Sequence, residues 1–214
     1  RLTLVNCYGS TEVTSPATIM PLGLSAIYND SVGITVPCGD IRVMNDEGQP
    51  VATGESGELW IGGPMVVPGY WDNPEATAKG FAQGCWRSGD IGSMDEQGLV
   101  RIFDRIKDMI LVSGFNVYPN EVEEVLSGHP QVMEAAVVGV PHPKWSERPL
   151  ACVVLNPGET LSKDEVLDYI RPRLAKWQVP DDVVFIDEVP KTSVGKFSKK
   201  TLRDRFADYV LPTI

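Results

Sequence analysis

A change of pattern between residues 104 and 107 constrains the fold of this 214-residue chain more than any other feature. Before it, short apolar runs occur at residues 41–43, 58–61, 90–94 and 99–103. Turn sequences rich in Asn, Asp and Gly separate these runs. Such spacing predicts a compact β-rich unit, a small barrel or sandwich. After it, strand-like and helix-like patterns alternate. The sequence therefore predicts an α+β protein with a β-rich unit over 1–104 and a small α+β domain over 105–214.

Helix signals in the second half are specific. Pro119 stands at a first helical position, and Val122 and Leu126 follow at the spacing of one apolar face. Residues 162–165 (Ser-Lys-Asp-Glu) carry the capping-box pattern. Further strands are predicted at 2–5, 109–112, 134–140, 149–155 and 182–187, with helices at 74–80 and from about 198.

Composition excludes several classes of protein. A net charge of −10 argues against general nucleic-acid binding. The four cysteines form no CxxC pair, which disfavours zinc and redox sites and favours a reduced, cytoplasmic protein. No run approaches the roughly 20 apolar residues of a membrane helix. The chain begins at Arg1 without an initiator Met or a signal peptide, so we expect a fragment of a longer protein.

One stretch, residues 191–205, is locally basic. It carries six basic residues against one acid: Lys191, Lys196, Lys199, Lys200, Arg203 and Arg205, against Asp204. Two interpretations are open from the residues alone. The stretch is either a solvated helix face that follows a loop, or a site for a polyphosphate ligand.

Seven segments, in order, resemble the adenylate-forming superfamily of acyl-CoA synthetases, luciferases and peptide-synthetase adenylation domains. They are residues 8–12 (Tyr-Gly-Ser-Thr-Glu), 57–63, 69–71, 86–90, 104–110, 114–123 and 190–196. Each segment alone is weak evidence for the resemblance, but together, in the order found in the family, they span nearly the whole chain. Residues 108–123 look especially like bacterial fatty-acid–CoA ligases.

The resemblance implies a fold and an activity. It implies the β-rich, distorted-barrel end of a large N-terminal domain, followed by a small mobile C-terminal domain. The implied enzyme is an acid–thiol ligase that converts a carboxylic acid of the fatty-acid class, with ATP and Mg²⁺, to an acyl-adenylate and pyrophosphate and then to a thioester of CoA. The family's phosphate loop and most of its acyl pocket lie upstream of residue 8, so we expect the isolated fragment to be inactive.

The same resemblance implies roles for the first turn. Tyr8, with Gly9 beside it, resembles the aromatic residue that stacks on adenine; alternatively it is a turn tyrosine packed on its own barrel. Thr11 resembles the hydroxyl at the α-phosphate. Glu12 resembles the carboxylate that holds Mg²⁺, a cation that takes one or two carboxylates; alternatively it is a solvated turn acid.

Two further residues resemble nucleotide ligands. Asp90 resembles the carboxylate that accepts both ribose hydroxyls, or is simply a turn-forming Asp. Arg105 resembles an arginine that holds the nucleotide, where a guanidinium offers several fixed donors. The alternative for Arg105 is a surface ion pair with Asp104 or Asp108.

Three positions in the second domain complete the set. Lys107 falls at the family's hinge. Gly114 resembles the loop glycine that faces the pantetheine arm of CoA, or is a plain turn glycine. Lys196 resembles the catalytic lysine that reaches the carboxylate and the α-phosphate; alternatively it is a solvated loop lysine.

Two other functions stay open at this point. One is an adenylation domain that loads a carrier protein instead of CoA. The other is a non-catalytic binding fragment that keeps the fold.

Overall fold

The chain forms two compact units, Arg1–Ile106 and Lys107–Ile214. The computed structural model describes residues 2–14, 16–193 and 195–213, so Val194 of the loop at 190–196 lies outside the described residues. The division falls just after the predicted residue 104, because the last strand of the first unit continues through Arg105.

The described part of the first unit contains eight strands, a 3₁₀ helix and one α-helix. In chain order they are β1 Cys7–Gly9, the 3₁₀ helix Thr11–Val13, β2 Pro16–Ile19, β3 Gly33–Thr35, β4 Asp40–Met44, β5 Gly57–Gly62, α1 Pro74–Gly80, β6 Phe81–Ala82, β7 Cys85–Met94 and β8 Leu99–Arg105.

These strands form one antiparallel sheet in the order β1-β2-β3-β8-β7-β5-β4, with β6 paired to β7. The β-rich prediction is confirmed. Within the described residues the outer strands β1 and β4 are not paired with each other, so the sheet is open and not a closed barrel. The strand predicted at 2–5 was wrong: β1 begins at Cys7, opposite Ile19, because its partner β2 ends there.

The tight turns of this sheet follow from side chains within the turns. The carboxamide oxygen of Asn45 accepts hydrogen bonds from the amides two and four residues later, at 3.1 and 2.9 Å. The carboxylate of Asp95 does the same at 2.9 and 3.0 Å. Side chains of this type stabilise a turn because they replace backbone hydrogen-bond partners locally.

The described part of the second unit contains five strands and three helices. They are β9 Ile110–Val112, β10 Phe115–Val117, α2 Pro119–Ser127, β11 Val132–His142, β12 Ser146–Leu155, α3 Lys163–Ile170, β13 Asp182–Phe185 and α4 Lys199–Arg205. None of the described helices has the length and apolar character needed to span a bilayer.

The sheet of the second unit has the order β10-β9-β12-β11, with β13 parallel to β12. Helices cover both of its faces. Ala135 and Val137 of β11 belong to the core under α2 and α3, while Ala136 and Val138 belong to the core that includes residues of α4. Since both faces are buried, the strand reads as a continuous apolar run.

Candidate active site

Tyr8, Asp90 and Arg105 form a connected cluster in the first unit. The Tyr8 hydroxyl donates to Oδ2 of Asp90 at 2.6 Å, and Nε of Arg105 lies 3.2 Å from Oδ1. The Asp90 side chain is only 15% exposed, whereas Arg105 is 52% exposed and keeps donors in reach of a ligand. Burial, and then the adjacent Asp90 carboxylate, raises the pKa of Tyr8 above its usual value, so the hydroxyl stays protonated.

The sheet register brings the two charged members together. Asp90 on β7 is the direct cross-strand partner of Arg105 on β8. The register shifts immediately afterwards, between Ile91 and Gly92. A Cβ at Gly92 would lie 2.2 Å from the carbonyl oxygen of Arg101, so this close approach of the strands needs glycine. The Arg105 side chain pairs with Asp90. Of the two alternative partners expected, Asp104 accepts from the backbone amide of Arg105 at 2.7 Å, and Asp108 pairs with Arg203 at 2.6 Å.

The turn that follows Tyr8 borders an open groove of about 670 Å³. Its lining includes Tyr8, Gly9 and Thr11. Val13, at the end of the 3₁₀ helix, is fully buried in the core of the unit and anchors the turn. Thr11 is exposed, so its hydroxyl is available to a ligand in the groove.

Glu12 lies in the same turn and has a hydrogen-bond partner that the sequence did not indicate. The hydroxyl of Tyr70 donates to Oε1 of Glu12 at 2.9 Å, and Nε1 of Trp86 donates to that hydroxyl at 3.3 Å. No cluster of three or more potential metal ligands of the His, Cys, Asp or Glu type occurs in the described parts of the chain. A single carboxylate fits Mg²⁺ bound mainly through phosphate oxygens and water.

The basic stretch of the second unit is largely neutralised by internal ion pairs. Four of its six cations are paired: Lys191 with Glu134, Lys199 with Glu123, Lys200 with Asp204 and Arg203 with Asp108. For Lys196, no ion pair occurs with any residue that the structure describes. Arg205 lies over the ring of Phe206, 5.3 Å from its centroid. Most of the stretch is therefore structural, and Lys196 differs from the rest of it.

Lys196 sits on a short hairpin loop with defined ends. Its carbonyl oxygen accepts from the amide of Thr192 at 2.7 Å, and its amide donates to the Thr192 hydroxyl at 3.2 Å. An isolated bridge pairs Lys191 with Phe197. The Lys196 side chain itself is exposed. The loop thus presents a long flexible cation on a backbone that is held at both ends.

Lys107 and Gly114 also lie in exposed turns. Lys107 is in the turn after β8, at the first position of the second unit. Ser113 and Gly114 connect β9 to β10 and have φ of +49° and +90°. Two positive φ values are typical of the two-residue hairpin turn. No described residue of this unit lies within 4 Å of a Cβ placed on Gly114, so the turn conformation accounts for the glycine here.

Sequence reasoning missed Ser88 and Tyr70. Ser88 is 4% exposed and accepts from the Asp90 amide at 3.0 Å. Its spacing of two residues before Asp90 was a usable signal. Tyr70 contacts Glu12 across 58 positions of the chain, and no local pattern could have shown that contact.

Two family models match parts of this chain. Residues 1–71 match the model of the AMP-binding enzyme family, and residues 121–196 match that of the AMP-binding enzyme C-terminal domain. The chain belongs to the adenylate-forming, AMP-binding enzymes.

Individual relatives are similar over most of this chain. The long-chain-fatty-acid–CoA ligase of Yersinia pestis is 46% identical over 94% of the chain, and the feruloyl-CoA synthase of an Amycolatopsis species is 41% identical over 96%. The chain spans 35% and 42% of their respective lengths.

A solved relative shows the same fold. The o-succinylbenzoate CoA synthetase of Bacillus subtilis, in complex with its acyl-adenylate intermediate, has a TM-score of 0.89 and 33% identity, covering 94% of this chain and 41% of that one. Its complex with ATP and magnesium gives a TM-score of 0.88 and 32% identity, covering 94% and 42%.

Proposed function

We propose that this chain is part of an ATP-dependent acyl-CoA synthetase that acts on a fatty or related carboxylic acid. The observation that carries the proposal is the Tyr8–Asp90–Arg105 cluster beside the groove lined by Tyr8, Gly9 and Thr11. A flat ring, a buried carboxylate and an exposed guanidinium are suited to adenine, ribose and phosphate respectively. The CoA ligase and CoA synthase names of the relatives support the same class of reaction.

The first step is adenylation. A carboxylate oxygen of the acid forms a bond to the α-phosphorus of ATP, the bond from that phosphorus to the bridging oxygen breaks, and pyrophosphate leaves. Thr11 contacts the α-phosphate, Asp90 binds the ribose hydroxyls and Arg105 holds the nucleotide. Lys196 contacts the acid carboxylate and the α-phosphate, since a long stem with a compact charge suits that reach. Positioned cations are the principal means of catalysis where negative charge is this concentrated.

Glu12 would hold Mg²⁺ through its carboxylate. The hard oxygen donor and the absence of an ion pair to Glu12 from the described residues both fit a cation there. When bound, the ion neutralises part of the charge on the phosphates. Glu12 itself supplies one carboxylate, and Tyr70 hydrogen-bonds one of its two oxygens.

The second step is thioester formation. The thiol of CoA loses its proton to solvent, its sulfur bonds to the acyl carbonyl carbon, and AMP leaves. Gly114 is placed in the path of the pantetheine arm, and Lys107 is the pivot between the two half-reactions. A pivot needs exposed backbone, and Lys107 is in an exposed turn.

The test is exchange of labelled pyrophosphate into ATP by the complete protein that contains this sequence, with acids of graded chain length. We expect exchange to depend on one class of acid and to be lost in Lys196→Ala. Thioester formation from supplied acyl-adenylate should persist in that variant. Lys200→Ala is the matched control, because Lys200 is an exposed lysine of the same stretch that pairs with Asp204.

Two results would contradict the proposal. Absence of exchange with every acid, from protein that binds ATP, would favour a non-catalytic nucleotide-binding role. Release of AMP that requires a carrier-protein thiol and does not occur with CoA would show that CoA is not the acceptor.

A further inference from the structure

The Tyr70 hydroxyl lies between a buried donor and the Glu12 carboxylate. Trp86 is buried, with 6% of the residue exposed, and its Nε1 donates to the hydroxyl oxygen of Tyr70 at 3.3 Å. An indole N–H can only donate, so the hydroxyl must accept that bond, and its single proton is left for Oε1 of Glu12 at 2.9 Å. The direction of both hydrogen bonds is therefore determined by the chemistry of the groups.

The tyrosine ring is held independently of Glu12. Its edge packs against Phe81 with ring centroids 5.5 Å apart. Its backbone amide donates to the hydroxyl of Thr77 at 2.9 Å. A Cβ on Gly80 would lie 3.2 Å from the ring, which shows how closely α1 approaches it. The hydroxyl is thus presented from a rigid support.

The turn that carries Glu12 is fixed to the same segment. The amide of Val67 donates to the carbonyl oxygen of Glu12 at 2.9 Å. No Lys or Arg among the described residues forms an ion pair with Glu12, so its negative charge is not neutralised within that part of the protein. Tyr70 occupies Oε1, and Oε2 is left as the oxygen that can take a cation.

We propose that Tyr70 is a positioning residue for Glu12: its hydroxyl, oriented by Trp86, fixes the carboxylate rotamer and so selects the oxygen that binds the metal of metal–ATP. This inference rests on the proposed role of Glu12. Carboxylates that bind metals are commonly oriented by such outer hydrogen bonds, and the loss of one typically lowers metal affinity.

The experiment compares Tyr70→Phe with the unaltered complete protein. Binding of Mn²⁺ in the presence of ATP is followed by electron paramagnetic resonance, and binding of AMP and of ATP in EDTA by calorimetry. We expect Tyr70→Phe to weaken Mn²⁺ binding about 10-fold and to leave metal-free nucleotide binding nearly unchanged. Tyr28→Phe is the matched control, because that hydroxyl donates to Gln97 at 3.2 Å in the same unit, away from Glu12.

A double variant provides the decisive comparison. In a Glu12→Gln background, Tyr70→Phe should have little further effect on Mn²⁺ binding, because the two residues act as one unit. Additive losses, equal weakening of metal-free AMP, or unchanged Mn²⁺ binding in Tyr70→Phe would each overturn the inference. If these metal effects appear while acid-dependent pyrophosphate exchange is absent, the proposed synthetase activity fails and the role of Tyr70 stands.

Discussion

The hydroxyl of Tyr8 lies 2.6 Å from Oδ2 of Asp90, although 82 positions separate the two residues in the chain. The bond joins β1, at one edge of the sheet, to β7 in its interior, two strands that are not neighbours in it. A residue expected to act through its aromatic face therefore also holds the carboxylate expected to bind ribose. The two roles of the ring and the hydroxyl can be separated by substitution.

Tyr8→Phe and Tyr8→Ala should differ in nucleotide affinity. Tyr8→Phe keeps the ring and removes the bond to Asp90, so the free energy of unfolding should fall by about 1–2 kcal/mol with a small effect on AMP binding. Tyr8→Ala also removes the stacking surface, which contributes about 1–3 kcal/mol per base. Calorimetric titration with AMP measures both variants. Equal AMP affinities for the two variants would contradict stacking by Tyr8.

Gly114 offers a separate test of the thioester step. Gly114→Asn suits the positive φ of the turn, whereas Gly114→Leu adds strain of about 1–2 kcal/mol. If the loop approaches the pantetheine arm, both side chains should slow thioester formation from acyl-adenylate and CoA, and only Leu should lower thermal stability. Adenylate formation is the internal control. Normal thioester output from a folded Gly114→Asn variant would show that the glycine serves the turn alone.

The ion pair between Lys199 and Glu123 should stabilise the second unit. The two side chains are 11% and 15% exposed, and the atoms are 3.0 Å apart. Lys199→Met leaves a nearly buried carboxylate without this cation and should lower the free energy of unfolding by about 3 kcal/mol. Lys200→Met removes the exposed pair with Asp204 and should change it by less than about 0.5 kcal/mol. Denaturant unfolding of both variants gives the comparison, and equal effects would refute it.

Because of Asp182, the free energy of unfolding of the second unit should change with pH in the acid range. Burial alone would raise the pKa of Asp182, but the hydrogen bonds from Lys163 and Tyr209 outweigh it and lower the pKa below the usual 3.8. A lowered folded-state pKa gives stability that is present above the unfolded-state pKa and is lost as the pH falls through the folded-state value.

Asp182→Asn therefore should lower the free energy of unfolding by about 2 kcal/mol at neutral pH. The difference from the unaltered protein should shrink as the pH falls below 3.8. Urea unfolding across this pH range provides the measurement. A difference that is constant with pH would show that the charge of Asp182 is not the stabilising feature.

The local features of this protein were determined by the sequence alone. The capping box forms as predicted, with the Ser162 hydroxyl accepting from the Glu165 amide and the Glu165 carboxylate accepting from the Ser162 amide. The Asn45 and Asp95 turns and the Pro119 helix start also lie where the residues predicted them. Each of these depends on partners within about four positions, so a short window of sequence contains all the groups involved.

Only the tertiary structure decided which distant groups meet. It paired Arg105 with Asp90, where the sequence offered Asp104 and Asp108 as alternatives nearer in the chain. In the structure the β-sheet of the first unit is open. Its first strand begins at Cys7, because the end of a strand depends on the length of its partner strand. The tertiary structure also placed Tyr70 on Glu12 and separated Lys196 from its paired neighbours. Such hydrogen bonds and ion pairs act over about 3 Å, and only the folded chain brings residues tens of positions apart within that distance.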